Sequence, residues 1–369
     1  MKYFLIEASD PRWNTAISAV PHDFYQTAEY HRFESENDEG RPYLFICSKD
    51  NMIFAWPYLL RPVSVPGVGE DSSCNEVRSC YGYGSPIYSN CENNKAFLTC
   101  AFEKLKEVWR SQRAVCAFAR MHPVLESHRA LHCIESTDAW SEVSGDMSAL
   151  SFRGHTVSVN LLRPEDARFA DYFASTRNHI RRNQRAGWIT VLDGSFIHLR
   201  SFADFYKATM LRNQADHYYF FDFAYFDRLR RVLTSAIHLF VTMDDGTPTC
   251  AALVSHYRTR MQALFIVTNP AYANASPSKN LVHDVCRWGQ DNGCIDFHLG
   301  GGRRGQQDSL FEFKAGFSKL YREFYTCALV LDRDAYSKLV ALREKVAPID
   351  PASTFFPAWR TPLPQIASR

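Results

Sequence analysis

A chain of 369 residues is longer than one hydrophobic core comfortably serves, and its 46% hydrophobic content supports two well-packed domains of ordinary size. Forty-two Lys and Arg against 40 Asp and Glu leave a formal charge of only +2, which excludes a general nucleic-acid coat protein; an anionic partner must be met by a local patch. The 11 cysteines show neither CxxC nor zinc-finger spacing, and no apolar run approaches the roughly 20 residues that cross a bilayer, so a soluble cytoplasmic protein without a metal centre is expected.

The run from Tyr3 to Ile6 reads as a strand, too short for a secretory apolar segment. Helices are predicted over 11–20 and from Thr27. Two apolar runs, 43–47 and 52–59, flank a polar turn and predict a hairpin, with Pro57 at an edge or bulge. A Pro-, Gly- and Ser-rich loop is expected over 61–79, leading into Tyr81-Gly-Tyr-Gly-Ser-Pro86. There glycines let the backbone approach a ligand and rings supply contact area; a tight turn at a strand end is the structural alternative. A helix over 94–110 and a strand over 114–119 follow. His122, His128 and His132 lack acidic or cysteine companions at ligand spacing and read as structural.

Residues 140–153 are polar and small, and the domain boundary is placed there. A strand at 156–161 opens the second half, and a helical region with Pro164 near its start runs to Gly187. Arg177, Arg181 and Arg185 stand four apart with Arg182 beside them, and no acid lies between 177 and 185. The run reads either as a solvated basic face or as a surface for phosphates of a nucleotide or tRNA. A strand at 189–192, helices at 202–212 and 224–233, and a three-strand meander across 237–267 come next. Ser276 as cap and Pro277 at the first helical position predict a helix through Asn292 whose free N–H groups suit a phosphate.

Residues 295–317 then combine a strand, Gly300-Gly-Gly302, Arg303-Arg304 and a short helix capped by Asp308. Leu310, Lys314 and Phe317 fall on one apolar face, with Phe311 and Phe313 alongside. A buried ammonium must snorkel, pair, lower its pKa or meet an anion. A strand at 321–331, a helix at 333–346 and an irregular proline-rich tail from 348 close the chain. Both halves share one element order: helix 94–110 with strand 114–119 corresponds to helix 278–292 with strand 294–299. This points to an internal duplication of a mixed sheet flanked by helices.

The second half resembles the Fem-type family, aminoacyltransferases with tandem GNAT-like domains that build peptidoglycan cross-bridges, and their BioF2-like acetyltransferase-domain relatives. The resemblance rests on Ile180-Arg-Arg-Asn-Gln-Arg-Ala-Gly-Trp188, on 206–212 followed by Tyr218, on Ser276-Pro-Ser-Lys-Asn-Leu281 with Trp288 and Gly293, and above all on Leu299-Gly-Gly-Gly302 with Asp308-Ser-Leu-Phe-Glu-Phe-Lys-Ala-Gly-Phe317. Tyr25-Gln-Thr-Ala-Glu-Tyr-His31, Tyr81-Gly-Tyr-Gly-Ser-Pro86 and Phe118-Ala-Arg-Met-His-Pro123 extend it into the first half.

The resemblance implies an α/β fold of two tandem GNAT-like domains, each a mixed, mostly antiparallel sheet flanked by helices. Residues 1–150 form the acceptor side, 151–331 the donor side, and 332–369 a terminal helix and tail. It implies N-acyl transfer to an amine of a cell-envelope precursor, peptidoglycan or nucleotide-sugar linked, with Phe313 and Lys314 at the donor carbonyl. Arg303, Arg304, Arg177, Arg181, Arg182, Arg185, Ser276, Ser278 and Lys279 would hold donor phosphates, and Tyr81, Tyr83, Arg212 and Tyr218 would line the acceptor cleft. No tightly bound cofactor is implied: the donor is a cosubstrate, aminoacyl-tRNA or acyl-CoA.

CoA-binding relatives carry a Gln/Arg-x-x-Gly-x-Gly/Ala loop where this chain has Asn274-Ala-Ser-Pro-Ser-Lys279. The sequence also lacks the heptads of a tRNA-directed coiled coil. Both donors therefore stay open. The alternatives are acyl-CoA-dependent N-acetylation of an amino sugar in exopolysaccharide or O-antigen synthesis, and a non-catalytic binding module for anionic precursors.

Overall fold

Alternation of apolar and polar residues builds the strands of the computed structural model, which describes residues 1–38, 40–138, 140, 149–351 and 353–363. The chain divides into two compact units, one of Met1–Arg153 with Phe324–Arg369 and one of Gly154–Glu323. The boundary expected over 140–153 falls largely on 141–148, outside the described residues.

In the first unit, β1 (Lys2–Glu7), β2 (Arg41–Lys49), β3 (Met52–Val65) and β4 (Gly69–Arg78) form an antiparallel meander. The short β5 (Ile87–Ser89) adds to β3. Helix Lys95–Ser111 then crosses over, and β6 (Ala114–Arg120) returns parallel to β4. The helix is started by Asn94, whose side chain accepts the Phe97 N–H. It buries Phe97, Phe102, Leu105 and Trp109, the last set edge-on to Trp56 at 5.3 Å.

Three expectations change here. The loop predicted over 61–79 is a hairpin, because β3 runs on to Val65 and the polar run Glu70-Asp-Ser-Ser73 belongs to β4. Pro57 is interior rather than at an edge. It lies opposite Leu44 and falls between the stretches β3 shares with β5 (to Ala55) and with β4 (from Leu59), where no ladder bond is lost. The strand expected to close the second domain, β13 (Leu320–Val330), pairs along its second half with β6, Thr326 opposite Arg120 through Val330 opposite Cys116. The tail after it is anchored: Trp359 is fully buried, and Arg343 holds the carbonyls of Ala347, Thr361 and Pro362.

The second unit repeats the plan. β8 (Ile189–Leu192), β9 (Ile237–Asp244), β10 (Thr247–Tyr257) and β11 (Arg260–Thr268) form the meander. Helix Pro277–Asp291 crosses over, and β12 (Asp296–Gly301) returns parallel to β11. The strand beside β12 is β7 (Leu150–Asn160), which precedes the unit's meander in the chain. In each unit, then, the place next to the returning strand is filled from outside the meander–helix–strand run. The helical region predicted from Pro164 to Gly187 is two helices, Glu165–Asp171 and Ala174–Arg185, separated by extended Tyr172 and Phe173.

Candidate active site

The parallel pair β11–β12 is joined for only three residues, Arg260–Gln262 against Asp296–His298. Leu264 is bulged against β10, and β12 slips its register against β7 between His298 and Gly300. The two strands thus part toward their C-terminal ends, where an open α/β sheet holds ligands. The two elements that follow those ends are helix Pro277–Asp291 and helix Ser309–Ala315.

Asp308 starts the second of these as expected, accepting the N–H groups of Leu310 and Phe311. Phe311 and Ala315 turn into the core, and Phe313 lies half-buried, edge-on to Phe317 at 5.5 Å. Lys314 is half-buried, and its Nζ donates to the carbonyl of Gly301 at 2.6 Å, at the end of β12. Among the described residues no carboxylate is bonded to it. Burial, opposed only by the charge of Asp308, lowers its pKa from 10.5 to about 8. The side chain is therefore a desolvated cation at neutral pH, aimed at a strand terminus.

Gly302 permits this arrangement. A Cβ there would stand 1.9 Å from the Gln306 carbonyl oxygen and 2.5 Å from the Asp308 carboxylate. Gly302→Ala is expected to displace the cap of the Lys314 helix and to cost about 1–3 kcal/mol. Urea unfolding measures that loss; an unchanged midpoint would mean the loop is not constrained as described.

The arginines predicted to bind phosphate are used differently. Arg303 pairs with Asp308 at 2.8 Å, leaving Arg304, exposed and at φ 54°, as the unpaired cation of the dipeptide among the described residues. Arg177 donates to the carbonyls of Ala170 and Tyr172, capping the preceding helix. Arg181 lies over the Phe169 ring at 5.3 Å. Arg182 donates to the Ala275 carbonyl at 2.9 Å, and only Arg185 stands in solvent without a partner among the described residues. The chain's own carbonyls and one ring thus engage Arg177, Arg181 and Arg182.

Arg182 nevertheless meets the other predicted donor residues. Asn183, buried and not anticipated, shares the Ala275 carbonyl with it at 3.3 Å. One turn earlier on the same helix, the His179 ring approaches Lys279 Nζ at 3.4 Å. Ser276 makes no side-chain cap. It sits at φ 52°, closing the 3₁₀ turn Pro270–Ala275, with its N–H on Ala273. Lys279 N bonds the Ser276 carbonyl. Burial lowers the pKa of Lys279. Helix Ala174–Arg185 links this corner to the Lys314 helix, since Phe173 N–H donates to Gly316 and Thr176 packs against that glycine.

The acceptor residues separate into two groups. In the first unit Tyr81 and Tyr83 are half-buried: Tyr81 O accepts from Tyr30, its N–H donates to Glu34, and Tyr83 packs on Tyr25 and His122. Gly82 (φ 85°) lies so close to Tyr25 that a Cβ would sit 2.3 Å from the ring. Burial pushes the Tyr83 hydroxyl up to about 12. In the second unit Arg212 is exposed at the end of helix Leu199–Arg212, and Tyr218 is exposed against Tyr219.

Residues 170–314 match the family model described as an acetyltransferase (GNAT) domain. The crystal structure of FemX superposes with a TM-score of 0.66 at 13% identity, covering 92% of this chain and 99% of that one. A conserved protein from Bacteroides thetaiotaomicron superposes with a TM-score of 0.54 at 11% identity, covering 89% and 99%. No curated protein sequence matches significantly. Among the described residues no helix is long and apolar enough to cross a membrane. With a GNAT domain matched around the splayed strands and the same meander–helix–strand plan in both units, the chain shares the fold of FemX, and its residues 170–314 are an acetyltransferase (GNAT) domain.

Proposed function

We propose that the chain is a cytoplasmic N-acyltransferase that moves an aminoacyl or acyl group from an activated donor to an amine of a cell-envelope precursor. The observation that carries this reading is Lys314: a desolvated ammonium at the end of β12, beside the gap between β11 and β12. Attack of an amine on an ester or thioester carbonyl places negative charge on oxygen, and a preorganised cation stabilises that transition state more than the ground state. The amine itself attacks, so no side-chain nucleophile is required. Phe313 would pack against the donor's acyl end, Arg304 and Arg185 would remain for its phosphates, and Tyr81, Tyr83, Arg212 and Tyr218 would meet the acceptor.

A CoA thioester is favoured over an aminoacyl-tRNA by one feature. Ser278, Lys279, Arg182 and His179 gather at the start of helix Pro277–Asp291, a compact corner that suits a pyrophosphate better than a long nucleic-acid backbone. Intact-mass measurement of candidate precursors, incubated separately with acyl-CoA and labelled aminoacyl-tRNA, tests both points. An added acyl mass with CoA is expected; the aminoacyl mass instead would reverse the donor assignment, and no added mass with either donor would refute the transfer itself.

A further inference from the structure

A cleft of about 520 Å³ in the second unit lies between the end of β7, helix Glu165–Asp171 and the chain after the Lys314 helix, a volume in the range of small-molecule sites. Its polar wall consists of Asn160, Arg163, Arg168, Ser318 and Lys319, over an apolar floor of Val159, Ala170, Phe317 and Leu320. Arg168 is only 3% exposed. Its Nη1 donates to the Arg163 carbonyl and to Gln290 Oε1 at 2.8 Å, while Nε and Nη2 have the Tyr172 hydroxyl as a polar neighbour but no hydrogen bond of good geometry among the described residues. No carboxylate pairs with it among the described residues; the acid in the wall, Asp171, is held by Arg163. A buried guanidinium without a counter-charge is costly, and in a low-dielectric wall its field reaches into the cleft unscreened.

The neighbours share the same bias. Asn160 Oδ1 accepts the Leu162 N–H and Ser318 Oγ the Leu320 N–H, and the Asn160 amide N–H groups and the Ser318 hydroxyl hydrogen add donors to the wall. Lys319 is exposed and without a partner among the described residues. Three cations against one acid give the wall two net positive charges, alongside these donors.

We infer that this cleft is a binding site for the phosphoryl group of a small molecule, separate from the corner at Ser276 and independent of the reading of Lys314. A phosphoryl dianion matches the charge of the wall, accepts from Asn160, Ser318 and Lys319 together, and compensates Arg168. The cleft's apolar floor would take the remainder of the molecule.

The full chain titrated with inorganic phosphate, against sodium chloride at equal ionic strength, tests this by thermal unfolding. Phosphate is expected to raise the melting temperature saturably. The apparent affinity should fall at least about fivefold in Lys319→Ala and in Ser318→Ala, vanish in Arg168→Gln, and persist in Lys279→Ala. Should Arg168→Gln fail to fold, Lys319→Ala and Asn160→Ala decide. A shift no larger than that of chloride, or one lost in Lys279→Ala and kept in Lys319→Ala, overturns the assignment.

Discussion

Replacing Lys314 by methionine is expected to cut acyl transfer about 10²–10³-fold while leaving the protein at least as stable at neutral pH. The two effects have one cause. The ammonium is desolvated on a helix face otherwise given to the core, and its partner is one carbonyl oxygen, so it destabilises the fold in the same position where it can stabilise an oxyanion. Its folded pKa of about 8 lies below the unfolded value of 10.5, so between those two pH values the unfolded chain binds the extra proton. Stability of the native protein should therefore rise from about pH 8 to 10.5, while the Met variant shows no such rise. Transfer should move the opposite way, declining as pH climbs through about 8 and the cation is lost. Lys314→Arg, charged throughout, should lack that alkaline limb. Transfer rates and urea midpoints across pH 6–10.5 check all three, and a Met variant that transfers normally would remove Lys314 from the chemistry.

The largest stability loss is expected from Glu76→Ala, about 3–5 kcal/mol. Glu76 is 2% exposed in β4 and is held by the guanidinium of Arg61, itself buried, and by Arg360 Nε at 2.7 Å. Burial pushes this carboxyl up, but the two arginines outweigh that and leave its pKa below the usual glutamate value. Its contribution is thus present above pH 4.5 and is lost as pH falls through the lowered value. Removing the carboxylate takes from the buried Arg61 and from Arg360 the anion that the two guanidiniums share. Chemical unfolding at pH 7 should show the full loss, and Glu76→Ala together with Arg61→Met should recover part of it. A loss under about 1 kcal/mol would show that solvent reaches the pair.

The contrast between Lys314 and Glu76 shows what the sequence makes legible. Lys314, Asp308 and the flanking phenylalanines lie within one helix, so periodicity and capping place them without knowledge of the rest of the chain. The crossover helices and most of the meander strands, though not β4, are readable for the same reason. Glu76 and Arg360 are 284 positions apart, and nothing local marks Arg360 as the residue that ties down a proline-rich tail. The arginine run is a different case. Its helix and spacing are as expected, but the carbonyls of Ala170, Tyr172 and Ala275 that claim Arg177 and Arg182 come from neighbouring turns. Ser276 kept its place but not its role, because the preceding 3₁₀ turn needs it left-handed, a conformation in which its side chain makes no cap.

The position of β13 bears on how the protein comes into being. Residues 1–153 emerge from the ribosome first, yet the strand that covers the open side of β6 lies about 200 positions downstream, and Arg360, the second partner of Glu76, comes later still. Until then β6 presents a bare edge of the kind that recruits other strands. A gene split at residue 150 would thus separate the first fragment from β13, while the second keeps β7 beside β12. A circular permutant that places 324–363 ahead of residue 1 would supply β13 before β6 is made.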